Sequence, residues 1–141
     1  MLKRFCLLLA LILPMTLLVG CGGKVKLTGT VLYSDDNEPV ADGMVYFVNG
    51  DFSAHGVIQN GHFSVSSVKE NDGLPAGDYE VYFAGIEKVV KEASTNDQGE
   101  TTEPVTVNAI DVKYLSASTS GIRQKVDRST KTVEFKLDRA P

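Results

Sequence analysis

From Val25 onward the apolar residues recur at every second position, and that period commits the chain to β-structure. Val25, Leu27, Gly29, Val31 and Tyr33 fall on one face of an extended segment, and Lys26, Thr28, Thr30 and Leu32 on the other. Tyr79, Val81 and Phe83 alternate with Glu80 and Tyr82, and Val133, Phe135 and Leu137 alternate with Thr132, Glu134 and Lys136. Ser53–Gln59 and His62–Ser67 flank Asn60-Gly61, a pair that tolerates φ > 0 at both central positions of a type I′ turn. A tight hairpin follows, with Gln59 opposite His62, Ile58 opposite Phe63 and Gly56 opposite Val65. Ile58, Phe63 and Val65 then face the core, and His55, Val57, Gln59, His62 and Ser64 face out.

Met44–Val48 is continuously apolar, which predicts a strand covered on both sides or placed at a sheet junction. Ile122–Val126 supplies a further strand. Turn formers separate the runs: Ser34–Pro39, Asn49–Asp51, and Gly73–Gly77. The count is seven short strands, an all-β sandwich or barrel. Gly85–Ala109 is too long for an ordinary connection. Glu87–Gln98 in it is polar and uncommitted, Val105 and Val107 suggest a short strand, and Val89-Val90 with Ala93 would suit one helical turn within Ile86–Ala93.

The first twenty residues read differently. Met1-Leu2-Lys3-Arg4 is a short basic region, and Phe5–Val19 is almost continuously apolar. Fifteen residues fall short of the roughly 20 that a spanning helix needs, but they match the core of a secretory signal peptide. The run ends Leu18-Val19-Gly20-Cys21, which resembles the lipobox of bacterial lipoproteins. The resemblance implies a signal peptide over 1–20 and a diacylglyceryl group on the sulfur of Cys21. Cleavage makes Cys21 the new N-terminus, joined to the domain by a linker ending at residue 24. Two acyl chains suffice for stable anchoring where one does not. Gly22 stands where Asp would imply retention in the inner membrane, so the resemblance favours the outer membrane, with the domain facing periplasm or surface. Cys6 lies in the removed segment and leaves Cys21 no disulfide partner.

The chain has 141 residues and a net charge of −4, and loss of residues 1–20 with Lys3 and Arg4 takes the charge to −6. An acidic domain with no basic stripe is a poor partner for nucleic acid, whose phosphates need clustered Lys and Arg.

The mature region, 25–141, resembles carboxypeptidase-regulatory-like domains, also called transthyretin-like. Thr28-Gly29-Thr30-Val31 followed by Glu38-Pro39-Val40-Ala41-Asp42-Gly43-Met44-Val45 is similar to the family's opening. Asn60-Gly61-His62-Phe63 matches its hairpin, and Pro75-Ala76-Gly77-Asp78-Tyr79-Glu80-Val81 its strand entry. Lys113-Tyr114, Thr119-Ser120-Gly121-Ile122 and Val133–Leu137 resemble the ending of a bacterial lipoprotein branch. The resemblance implies a seven-stranded Greek-key β-sandwich, usually non-enzymatic. Met44 stands where the family often has Ala, and Asp111 where the lipoprotein branch often has Pro, which leaves that loop's conformation open. Gly43 and Gly77 fall where tight turns into strands are expected. Tyr79 suits either a tyrosine corner or a plain core position.

Reactive constellations are sparse. His55 and His62 share an outer face but stand about 13 Å apart along the ribbon, too far to share an ion. Asp35-Asp36-Asn37-Glu38 lacks the spacing of a calcium loop and reads as a solvated turn. No G-x-S-x-G, P-loop or G-x-G-x-x-G occurs. Transthyretin-like hydrolases carry a His-rich site and a Tyr-Arg-Gly-Ser ending, whereas this chain has two His and the ending Asp138-Arg139-Ala140-Pro141. Lys24 or Lys26 with Glu80 would mimic two partners of the isopeptide crosslinks of some relatives, but no Asn stands in the last strand. The expectation is a non-enzymatic envelope lipoprotein without cofactor or metal. Its partners would be the membrane through Cys21 and an envelope protein or a glycan. The alternative is a carbohydrate- or peptide-binding module, for which Tyr33, Tyr82 and Tyr114 are the candidate platform. With the strands running alternately up and down, the acidic turn and the long segment gather at the end away from Cys21, where a partner is expected.

Overall fold

The structure is a computed structural model, and it describes residues 23–141. Cys21 and the segment 1–20 lie outside the described residues. Seven strands form one sheet: β1 Thr28–Tyr33, β2 Asp42–Asn49, β3 Phe52–Gln59, β4 His62–Ser66, β5 Gly77–Ala84, β10 Ile122–Val126 and β11 Thr132–Leu137. Their spatial order is β10-β5-β2-β3-β4-β1-β11. β2, β3 and β4 are joined by hairpins, and β1 returns beside β4, which is a Greek key. All neighbours are antiparallel except β1 and β11. The sheet folds over on itself, so that β11 packs across from β2 and β5, and its two halves make the layers of an all-β sandwich.

The inward faces are the alternating sets of the sequence. Val31, Val45, Ile58, Val81, Phe83 and Leu137 are fully buried, and Val25, Leu27, Tyr33, Phe63, Val65, Tyr79 and Phe135 nearly so. Phe135 of β11 holds the layers together. Its ring lies 6.0 Å from Phe47, 6.1 Å from Phe63 and 5.7 Å from Phe83. A buried ring of this size contributes about 1.5–3 kcal/mol by area, and each favourable ring pair about 0.5–1.5 kcal/mol more. The open edges, β10 and β11, present Arg123, Lys125, Glu134 and Lys136, charges that discourage pairing with a further strand.

The hairpin has the expected register. Gln59 pairs with His62 and Gly56 with Val65, and Asn60 and Gly61 take φ of 49° and 79°. Tyr79 is buried, and its hydroxyl donates to the Pro75 carbonyl at 2.7 Å, so the tyrosine-corner reading holds. Burial pushes the phenol pKa up.

Other expectations change. β2 is not covered on both sides: Val45 and Phe47 are buried, while Met44, Tyr46 and Val48 are half-buried on the outer face. The continuous run arises because this central strand carries large side chains outside as well as inside. Gly43 does need glycine, with φ 149° and Ile86 packed where a Cβ would stand, but Gly77 has no left-handed φ. The long segment holds four more strands: β6 Glu87–Lys91 pairs with β9 Val105–Asn108, and β7 Ser94–Thr95 with β8 Thr101–Thr102. The helical turn proposed within Ile86–Ala93 is therefore a strand, and the strand total exceeds seven. A 3₁₀ turn, Val112–Leu115, and one α-helical turn, Ala117–Ser120, lead back to β10. Asp111 caps the first. Its N–H donates to the Asp138 carbonyl and its carboxylate accepts from the Lys113 N–H, two bonds that Pro and its missing donor could not both reproduce.

Candidate functional site

Three surfaces carry chemistry, and strand direction sorts them. β1, β3, β5 and β11 run one way, and β2, β4 and β10 the other. One end of the sandwich therefore holds the residues entering β1 and the turns after β2, β4 and β10. The opposite end holds the turn Ser34–Pro39, the Asn60-Gly61 turn, the long segment and the chain after β11.

The first end is fastened directly after Gly23. The Lys24 ammonium pairs with the Asp72 carboxylate, and Val25 exchanges both backbone bonds with Leu74 at 2.7 and 3.0 Å. Asp72 is itself a hub. It accepts from the backbone N–H groups of Ser67, Val68 and Lys69 at 2.7, 3.2 and 3.0 Å. The Lys24 bond and these donors hold its carboxyl well below the usual carboxylate range. Gly73 follows in the left-handed region at φ 79°, with the Val25 carbonyl in the space of a Cβ. The sequence signal for this clamp is slight, an Asp before a Gly in the polar stretch Lys69–Asp72. Lys24 and Glu80, weighed above for a crosslink, lie in separate ion pairs, Glu80 with Arg123 at 3.3 Å.

At the opposite end the acidic turn is not simply solvated. Arg139 spans it, donating to Asp35 at 3.0 Å, to Asp36 at 2.7 Å and to Glu38 at 3.1 Å. Its guanidinium also lies 3.7 Å from the centroid of the Tyr33 ring. The hydrogen bond to Asp36 is the main reason that the Arg139 pKa rises, and burial pushes the Tyr33 phenol up. Next to it, Asp138 accepts from Ser34 Oγ at 2.6 Å, Lys113 Nζ at 2.7 Å and the Tyr114 hydroxyl at 3.0 Å. The Lys113 bond, above all, lowers the Asp138 pKa to about 2. Asp111 and Ala140 add backbone bonds to Asp138 and Ala109. The carboxylates expected to greet a partner are thus engaged by the chain's own last residues.

The third surface is a cleft of about 930 Å³ on the outer face of β3, β4, β1 and β11. Its walls include His55, Gln59, His62, Ser64, Asn71 and Glu134. The pleat places the two histidines on one face, as the hairpin register required. Among the described residues the side chains of these six make no hydrogen bond to protein, and no group of three or more His, Cys, Asp or Glu could hold a metal ion. His55 extends the cleft toward an aromatic row on β2 and β5: its ring lies 6.2 Å from Tyr46, which stacks on Tyr82 at 4.8 Å and 9°.

Of the three tyrosines named as a platform, only Tyr82 belongs to this row. Tyr33 and Tyr114 are buried at the far end. Tyr46 was missed because the run Met44–Val48 hid its alternation. The two stacked rings pair across adjacent strands, Tyr46 opposite Tyr82, on the sheet's outer surface.

No family model matches the chain, and no curated protein matches it. Among solved structures the chain is similar to the major pilin subunit of Bacillus cereus in two crystal structures. One is 16% identical with a TM-score of 0.38, covering 84% of this chain and 30% of that one. The other is 14% identical with a TM-score of 0.33, covering 83% and 30%. It is also similar to a 9R-lipoxygenase from Cyanothece, at 19% identity and a TM-score of 0.32, covering 79% of this chain and 16% of that one. The chain thus spans less than a third of the length of each protein it matches.

Proposed function

We propose that this protein is a non-enzymatic lipoprotein of the bacterial cell envelope, held to a membrane through acylated Cys21 and presenting its β-sandwich as a binding module. One observation carries the reading. The lipobox Leu18–Cys21 is followed by only Gly22 and Gly23 before the clamp made by Lys24–Asp72 and Val25–Leu74. The three steps from Cys21 to Lys24 reach about 11 Å at most, so the end of the sandwich beside Lys24 rests on the membrane and the Arg139 end points away. Detergent phase partitioning tests it. Wild-type protein made in bacteria is expected in the detergent phase and Cys21→Ala in the aqueous phase. The same partition for both would refute the anchor.

The cleft favours a carbohydrate as the ligand. The side chains of His55, Gln59, His62, Ser64, Asn71 and Glu134 have no hydrogen-bond partner among the described residues and can exchange hydrogen bonds with sugar hydroxyls, while the Tyr46–Tyr82 row supplies apolar surface beside them. A peptide adding to the sheet would have to overcome the charged edges β10 and β11. A glycan array probed with the detergent-solubilised protein, read against His62→Ala, tests this choice: binding lost in the variant supports it, and silence across the array refutes it.

A further inference from the structure

The end of the sandwich beside Gly23 and Lys24 is basic in a confined way. A second cleft there, of about 670 Å³, is lined by Lys24, Lys26, Arg128, Thr130 and Lys131 around Gly23. Two segments build it, and both are held in place. The entering strand is fixed by the Val25–Leu74 bonds, and the turn between β10 and β11 by Asp127, whose carboxylate accepts from the N–H groups of Ser129 and Thr130 at 2.8 and 3.1 Å. The segments meet where the Thr28 N–H donates to the Lys131 carbonyl at 3.1 Å.

Among the described residues no acid lines the cleft, and the two acids that hold its walls are already engaged. Asp72 is occupied by Lys24 and three backbone donors, and Asp127 by its own turn. Lys26, Arg128 and Lys131 have no ion-pair partner among the described residues. At the opposite end Lys113 and Arg139 are both paired, and Lys88 and Lys91, without an ion pair among the described residues, stand on the exposed ribbon β6 and line no cleft with other cations. A domain of net charge −6 beyond residue 20 thus gathers three unpaired cations, Lys26, Arg128 and Lys131, around Gly23, where the chain leaves for Cys21.

We infer that this cleft seats the phosphate of an anionic phospholipid from the leaflet that holds Cys21. The inference rests on the lipid-anchor reading. Gly22 keeps the Gly23 edge of the cleft within about 7 Å of the acylated residue, inside the screening length of roughly 8 Å at physiological salt. At that distance unpaired Lys and Arg are drawn to an anionic surface. The seat fixes how the sandwich stands, because one lipid tether at Cys21 leaves rotation about itself, and a second contact at Arg128 and Lys131 removes it.

Lysine acetylation of the membrane-purified protein tests the seat, after reconstitution into vesicles of phosphatidylcholine alone or with phosphatidylglycerol. Mass spectrometry reads each lysine, with Lys88 and Lys91 of β6 as references at the far end. Lys26 and Lys131 are expected to react about threefold or more slowly with phosphatidylglycerol present, and the references equally in both vesicles. Equal reactivity of Lys26 and Lys131 on protein that stays vesicle-bound would overturn the seat while leaving the anchor intact. Equal protection by inorganic phosphate on phosphatidylcholine vesicles would overturn it too, as a site for any free anion. Protein that binds neither vesicle, with no acyl mass on Cys21, would overturn the anchor and the seat with it.

Discussion

Phe63 occupies the space that a side chain on Gly29 would fill: a Cβ built on Gly29 would overlap the edge of its ring, and one on Gly56 would stand 3.0 Å from it. β4 lies between β1 and β3, so one ring covers a glycine on each flanking strand. The glycines let the ring lie flat against the sheet, stacked at 9° on Phe135 of β11.

The pair should therefore be coupled. Phe63→Ala removes a ring only 4% exposed and is expected to cost about 3–5 kcal/mol in urea unfolding. Gly29→Ala overpacks the site and is expected to cost about 1–3 kcal/mol. In the double variant Gly29→Ala with Phe63→Ala, the cost should fall short of the sum of the two single costs by about 1 kcal/mol or more. Strict additivity would place the Phe63 ring elsewhere.

That relationship was half legible in the sequence. Asn60-Gly61 fixed the hairpin and its alternation, so the inward direction of Phe63 followed from local chemistry. Its lodging against Gly29 did not, because β1 reaches β4 only through the Greek key. The same distinction explains what else was hidden. β6 to β9 bury none of their residues, so no apolar period marks them. Arg139 meets Asp35 across 104 residues of chain, and no local motif signals such a pairing. Without such a motif, the Ser34–Pro39 turn shows in the sequence only as solvated carboxylates.

Acid should loosen the chain after β11. Asp138 has its pKa lowered to about 2, chiefly by Lys113. A folded-state value below the ordinary aspartate value of about 3.9 means that ionised Asp138 stabilises the fold above that pH, and that this contribution is lost as pH falls from about 4 through 2. Carboxyl carbon shifts followed by NMR should place the Asp138 midpoint near pH 2, and Lys113→Gln should move it upward. A wild-type midpoint near 3.9 would mean that the Lys113 contact does not persist in solution.

Strand direction predicts where protease should reach the protein if Cys21 anchors it. Residues 92–102 are exposed ribbon and turn at the end away from Lys24. Asn49–Phe52 is a tight hairpin turn at the near end, with the Phe52 ring 6.1 Å from Tyr79. On spheroplasts, cleavage is expected within Glu92–Thr102 before any at Asn49–Phe52. The opposite order would invert the orientation.

The anchor itself is read most directly from one peptide. Trypsin cuts after Lys24, so the mature protein should release Cys21-Gly22-Gly23-Lys24 as its N-terminal fragment. Mass spectrometry of protein purified from bacterial membranes is expected to find this peptide beginning at Cys21 and carrying the added mass of a diacylglyceryl group. A peptide that continues upstream of Cys21, or one that begins there with an unmodified thiol, would contradict the lipid anchor on which the function, the orientation and the phospholipid seat all depend.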